Sequence, residues 1–138
     1  MPSGTANTSH TMDIITYDDV LALALAETSR TRFTSDSKKW HNALYTICNR
    51  YRDTIPALQD IFFIKRAPSY VQTNKFYELI NILSSSGLIT LPNPDYGYIQ
   101  MNKSQKTRTK SLEENLLREY RTQISEIANI LQTQLAND

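Results

Sequence analysis

Residues 76–101 place the tightest constraint on what this chain can fold into. Phe76, Leu79, Ile80 and Leu83 recur at helical spacing, so one face of a helix turns inward. Gly87 follows as the left-handed stop that a helix C-terminus favours, with apolar Leu88 behind it. Leu88-Ile89-Thr90-Leu91 and Tyr98-Ile99-Gln100-Met101 then read as two short strands. Between them, Pro92-Asn93-Pro94-Asp95-Tyr96-Gly97 supplies turn residues with fixed or permissive backbone angles. An amphipathic helix running directly into a hairpin predicts a mainly α fold with a small β-hairpin.

The flanking sequence reads as further helices. Residues 1–12 are small, polar and aperiodic, which predicts a disordered tail or a vector-derived remnant with Met12 as the natural start. Thr16-x-x-Asp19 is an acidic capping box, and Asp18 and Asp19 favour the positive end of the helix they open. A catalytic acid pair is the rival reading of those two residues. The run from Val20 to Ala26 is apolar all round, so its helix is buried or lies at an interface. Residues 29–37 form a polar loop. A helix over 37–51 carries the stripe Trp40, Leu44, Ile47 and Tyr51, with Cys48 beside it as a small buried hydrophobe. His41 lies off that stripe and is expected in solvent. Thr54-Ile55-Pro56 starts a short helix over 55–65, although Ile61-Phe62-Phe63-Ile64 also suits a strand. Ser69-x-x-Gln72 is a capping box and Thr73 a second candidate cap, which places the next helix start between 69 and 73. After the hairpin, residues 102–110 form a basic strip. Ser111-x-x-Glu114 caps one long helix to about Leu135, whose seam of Leu117, Tyr120, Ile124, Ile127 and Leu131 steps 3, 4, 3, 4. The expected division is 1–12 as tail, 13–110 as the folded domain and 111–138 as a dimerisation helix.

Composition removes several classes of function. Three glycines among 138 residues leave no room for a Gly-rich phosphate cradle. One cysteine, Cys48, excludes an internal disulfide and a Cys-based zinc site, and two histidines offer little to a metal. No acid cluster with a lysine nearby suggests an enzyme, so no catalytic residue, metal or cofactor is expected. No apolar run spans a bilayer and no secretory leader opens the chain, which predicts a cytoplasmic protein. The net charge of +1 hides a segregation. Residues 1–29 carry a local −4, residues 30–110 a local +8 and residues 111–138 a local −3. A basic middle between acidic ends suits a polyanionic partner, and equally a fold in which the ends neutralise the middle.

The order of short helix, turn, helix ending in Leu83-x-x-x-Gly87-Leu88-Ile89, strand, turn and strand resembles a winged helix-turn-helix over about residues 37–101. With the C-terminal heptad helix it is similar to dimeric transcription regulators such as the PadR-like group. In helix order it is also similar to the initiator-type winged helices of replication proteins. The resemblance implies a homodimeric DNA-binding regulator that reads double-stranded DNA with the helix at about 70–86. Tyr70, Gln72, Thr73, Asn74, Lys75, Tyr77 and Asn81 would face the major groove or its walls. Lys38 and Lys39, in a first turn where cations oppose the helix dipole, suit an anionic ligand or a solvated pair. Lys103, Lys106, Arg108 and Lys110 would meet phosphates. One departure stands out: the hairpin tip Asn93, Asp95 and Tyr96 offers no Lys or Arg, unlike most DNA-contacting wings. The alternative is a winged-helix module that docks on another protein without nucleic acid.

Overall fold

An eleven-residue helix that is apolar on every side must be surrounded, and the fold is built around one. This is α1, Tyr17–Glu27, in which Val20, Leu21, Leu23, Ala24, Leu25 and Ala26 are all buried. Each valine or leucine so buried contributes about 2 kcal/mol, which no surface position could offer. Its start is fixed as the sequence predicts: the Thr16 backbone N–H donates to Asp19 Oδ2 at 3.1 Å.

The computed structural model describes residues 15–66, 70–73, 75–91 and 97–136. After α1 come β1 (Arg32–Thr34), α2 (Ser37–Tyr51), a 3-10 segment (Pro56–Asp60), β2 (Ile64–Arg66) and β3 (Tyr70–Gln72). Then follow α3 (Lys75–Ser85), β4 (Ile89–Thr90), β5 (Tyr98–Met101), α4 (Lys103–Leu112), α5 (Glu114–Glu119) and α6 (Arg121–Gln134). The chain is therefore mainly helical with small antiparallel sheets. α1 packs against α3, α4, α6 and the 3-10 segment.

Two sheets are present among the described residues, one in the order β1-β5-β4 and one pairing β2 with β3. In the first, Phe33 pairs with Ile99 and Ile89 with Met101, and all four side chains are buried. The expected hairpin is present as β4 and β5; its tip, residues 92–96, lies outside the described residues. The polar loop expected over 29–37 is corrected: Phe33, its one large apolar residue, is driven inward and carries Arg32–Thr34 into the sheet. The outer edge of β1 is closed by the C-terminal segment, where the Thr34 N–H donates to the Leu135 carbonyl at 2.9 Å.

The helix expected over 55–65 is also corrected. Ile55, Leu58 and Ile61 are buried at a spacing of three, the period of a 3-10 helix. The backbone then extends into β2. The helix start expected at 69–73 moves to Lys75, because Tyr70–Gln72 pair with β2 in register Ile64↔Gln72. Gln72 is therefore a strand residue, while Ser69 lies outside the described residues. Thr73 Oγ1 accepts from the Lys75 N–H at 3.2 Å, while Asn74, the position immediately before the helix, lies outside the described residues.

At the far end of α3 the sequence expectation holds in detail. Gly87 has φ +84°. The Leu88 N–H donates to the Leu83 carbonyl and the Gly87 N–H to the Ser84 carbonyl, the paired bonds of a Schellman stop.

The single long helix expected from 111 to 135 is three helices, and the basic strip before it is itself helical. Asn102 caps α4, and Ser111 lies inside α4 rather than capping a helix of its own. Glu113 (φ −104°, ψ 27°) and Tyr120 (φ −120°, ψ 33°) break the run. Length explains the breaks. α4 through α6 unbroken would extend about 48 Å at 1.5 Å per residue, whereas α1 is about 16 Å long. Both α4 and α6 pack on α1, so the chain has to turn between them.

Candidate functional site

The candidate site grows from one buried anchor. Trp40, Ala43, Leu44, Ile47, Cys48 and Tyr51 of α2 are buried as their spacing predicts. Burial pushes the Cys48 thiol up to about 12, so it is an inert core group. His41, expected in solvent, is only 4% exposed. Its Nδ1 accepts from the Thr73 backbone N–H at 3.1 Å, and its ring lies 5.2 Å from that of Phe76. Burial holds its pKa below the ordinary histidine value. The helical wheel of α2 misplaced His41 because β3, an element the sequence reading lacked, covers that side of the helix.

His41 thus ties the start of α3 to α2, and α3 presents two faces. Phe76, Leu79 and Leu83 point inward. Tyr77 and Asn81 are exposed. Lys75 is engaged: its Nζ lies 3.1 Å from Glu78 Oε2 and 5.5 Å from the centroid of the Tyr17 ring. The Tyr17 hydroxyl donates to the same Glu78 oxygen, which with Lys75 holds that carboxyl below its usual range. Burial, then Glu78, push the Tyr17 hydroxyl upward. The electrostatics of α3's first turn are consequently near neutral rather than cationic.

The other expected contacts divide. Tyr70 and Gln72 belong to β3, not to the helix; Thr73 is buried and held by His41; Asn74 lies outside the described residues. Lys38 and Lys39 are exposed in the first turn of α2, where Asp36 Oδ1 accepts from the Lys38 N–H. In α4, Lys103, Arg108 and Lys110 are exposed, and Lys110 Nζ lies 4.0 Å from Glu27.

Lys106 turns inward. Its Nζ donates to the carbonyls of Thr28 at 2.8 Å and Arg30 at 3.2 Å. Burial, followed by the charges of Lys110 and Lys103, lowers its pKa. It closes the turn after α1 and is removed from the set expected to meet phosphates.

The seam expected to meet a second copy is corrected as well. Ile124, Ile127 and Leu131 are completely buried within one chain, and Tyr120 is half-buried against the same core. For Leu117 the structure describes the backbone position in α5. A heptad spacing marks an apolar helix face; here the intramolecular neighbours α1 and α2 cover it.

Sequence reading missed Phe62, Ile64 and Lys65, which β2 and the residue run before it place on the surface. A signal was available: Phe62, Phe63 and Ile64, and then Tyr70 and Val71, are β-formers with Pro68 between the two groups. Among the described residues, no group of three His, Cys, Asp or Glu could hold a metal, and no helix is long and apolar enough to cross a membrane. No family model, curated protein or solved structure matches the chain.

Proposed function

We propose that the chain is a winged helix-turn-helix protein that binds double-stranded DNA with α3 and regulates transcription. One observation carries the reading. β1 precedes α2 and α3, then pairs with β5 of the hairpin that follows them, giving the sheet order β1-β5-β4. That closure holds a helix against a hairpin with its polar face outward, which is what insertion into a major groove needs. Exposed Tyr77 and Asn81 on α3, and exposed Lys38, Lys39, Lys103 and Arg108 on the neighbouring helices, support it. The link from fold to activity is by analogy.

A gel shift with bulk duplex DNA across a salt series tests the proposal. Binding that weakens steeply with salt is the expected result, since each phosphate contact releases counterions. A second reading, a module that docks on another protein, is favoured by the Lys75–Glu78 pair and by Leu112, which stands 70% exposed. Absence of any shift at low salt would overturn the first reading and favour the second.

A further inference from the structure

We propose that the groove between α1, α3 and the end of α4 docks a basic amphipathic helix of a partner protein. This goes beyond the DNA reading: it uses the Ile82 side of α3 rather than exposed Tyr77 and Asn81, and it stands or falls without that reading.

The groove begins with apolar side chains that the core does not finish covering. Ala22 of α1 and Ile82 of α3 are half-buried, Leu83 and Leu88 close the floor, and Leu112 at the end of α4 stands 70% exposed. A leucine left in water forgoes the burial it would gain against a partner. A second cleft, bordered by Phe62 at 69% exposure, continues the first, since Asp18 and Ile82 line both. One large exposed apolar side chain therefore lies on either side of that shared pair.

Charge selects the occupant. Among the described residues that line the two clefts, Asp18, Asp19, Asp60, Glu78 and Glu113 face one base, Lys75, which Glu78 holds at 3.1 Å. Glu113 is half-buried, and burial, followed by the charges of Asp19 and Asp18, raises its carboxyl above the usual range. Cations brought to this rim relieve the repulsion. A phosphate backbone is repelled by it, and so are the chain's own residues 1–14, which carry Asp13 and no Lys or Arg. A second copy supplies the wrong helices: the apolar stripe of α2 is buried in its own core, and α4 has Leu112 as its one large apolar residue. A helix with apolar anchors at i, i+3, i+4 and i+7 and Lys or Arg on its flanks matches both the floor and the rim.

The experiment uses the full chain and fluorescein-labelled synthetic peptides of about 18 residues, long enough to hold a helix. One carries Leu along a single helical face with Lys on the flanks. A second replaces every Lys by Glu, and a third keeps the first composition with Leu scattered round the helix. Anisotropy reports affinity, and amide shifts in the labelled protein report place. The first peptide is expected to bind about tenfold or more tighter than the other two and to shift Asp18, Ala22, Ile82 and Leu112. Leu112→Ser, and separately Asp18→Asn with Glu113→Gln, are each expected to weaken it about tenfold, and the second pair also to flatten its salt dependence. Both variants are expected to keep a urea midpoint near wild type, and circular dichroism confirms that each is folded.

If the basic peptide binds no tighter than the acidic one, if both variants match wild type in affinity, or if the shifts fall elsewhere, the proposal is overturned. It is also overturned if sedimentation shows a dimer that Leu112→Ser converts to a monomer, since a second copy then holds the groove. A nitroxide on Thr8→Cys, where buried Cys48 stays unlabelled, that broadens the Leu112 amide of the free protein overturns it too, in favour of the chain's own N-terminal segment. No nucleic acid is present, so failure here leaves the gel-shift test of α3 standing.

Discussion

His41 Nδ1 and the Thr73 backbone N–H, 32 residues apart in sequence, meet at 3.1 Å inside the protein. The contact joins α2 to the end of β3, two residues before α3 begins. It requires an imidazole that is unprotonated at Nδ1, so it couples the placement of α3 to pH.

The first prediction follows from the sign of that coupling. Burial lowers the folded-state pKa of His41 below the ordinary value of about 6.5. The unfolded chain therefore takes up the proton first as pH falls. The stabilisation is full above about pH 6.5 and is lost as pH drops from there through the folded pKa. Urea unfolding at pH 7.5 and at a series of values below 6.5 should show this decline. His41→Phe should flatten that part of the profile, at a cost of about 1–3 kcal/mol at neutral pH for the unpaired Thr73 N–H. An equally steep decline in His41→Phe would assign the pH dependence to another group.

Lys106 provides the second. Its ammonium bridges the Thr28 and Arg30 carbonyls, so Lys106→Met should destabilise the fold by about 1–2 kcal/mol. The salt slope of DNA binding should stay at the wild-type value. Lys103→Gln with Arg108→Gln should do the reverse, leaving the urea midpoint near wild type and flattening the salt dependence. Loss of slope in Lys106→Met at unchanged stability would return this residue to the set proposed to contact DNA.

Third, the C-terminal helices are core rather than appendage. A chain ending at Leu112 lacks Leu116, Ile124, Ile127, Ile130, Leu131 and Leu135, all buried. Six such side chains contribute about 10 kcal/mol, comparable with the whole stability of a small domain. The truncated chain should lack a cooperative urea transition. Ile127→Ala in the full chain should cost about 2–5 kcal/mol. A truncated chain that unfolds cooperatively would show that 113–138 is dispensable.

Gly87 supplies the fourth. A Cβ placed there would meet Gln105 at 3.7 Å, an ordinary contact, so the penalty of Gly87→Ala comes from φ +84° alone. The expected loss is about 1–2 kcal/mol in thermal or urea unfolding. Gly87→Asn should cost less, since asparagine tolerates the left-handed region better than alanine does. Equal losses for both would point to crowding instead of backbone strain.

The local sequence determined those features whose signal lies within a few residues. The stripe Phe76, Leu79 and Leu83 and the stop at Gly87 specify α3 and its end, because helical period and left-handed backbone are short-range properties. The same holds for the capping pair Thr16 and Asp19, the hairpin strands and the burial of Cys48. Tertiary structure alone decided the rest. β1 is three residues long and exists because Phe33 meets Ile99, a pairing that no local pattern encodes. For β2 the run Ile61-Phe62-Phe63-Ile64 already suited a strand, but only its pairing with β3 buried His41 and moved the start of α3 to Lys75. The spacing of Ile124, Ile127 and Leu131 marks an apolar face but carries no information about what covers it. Packing settled that, because the helix breaks at Glu113 and Tyr120 let one chain lay both α4 and α6 on its own α1.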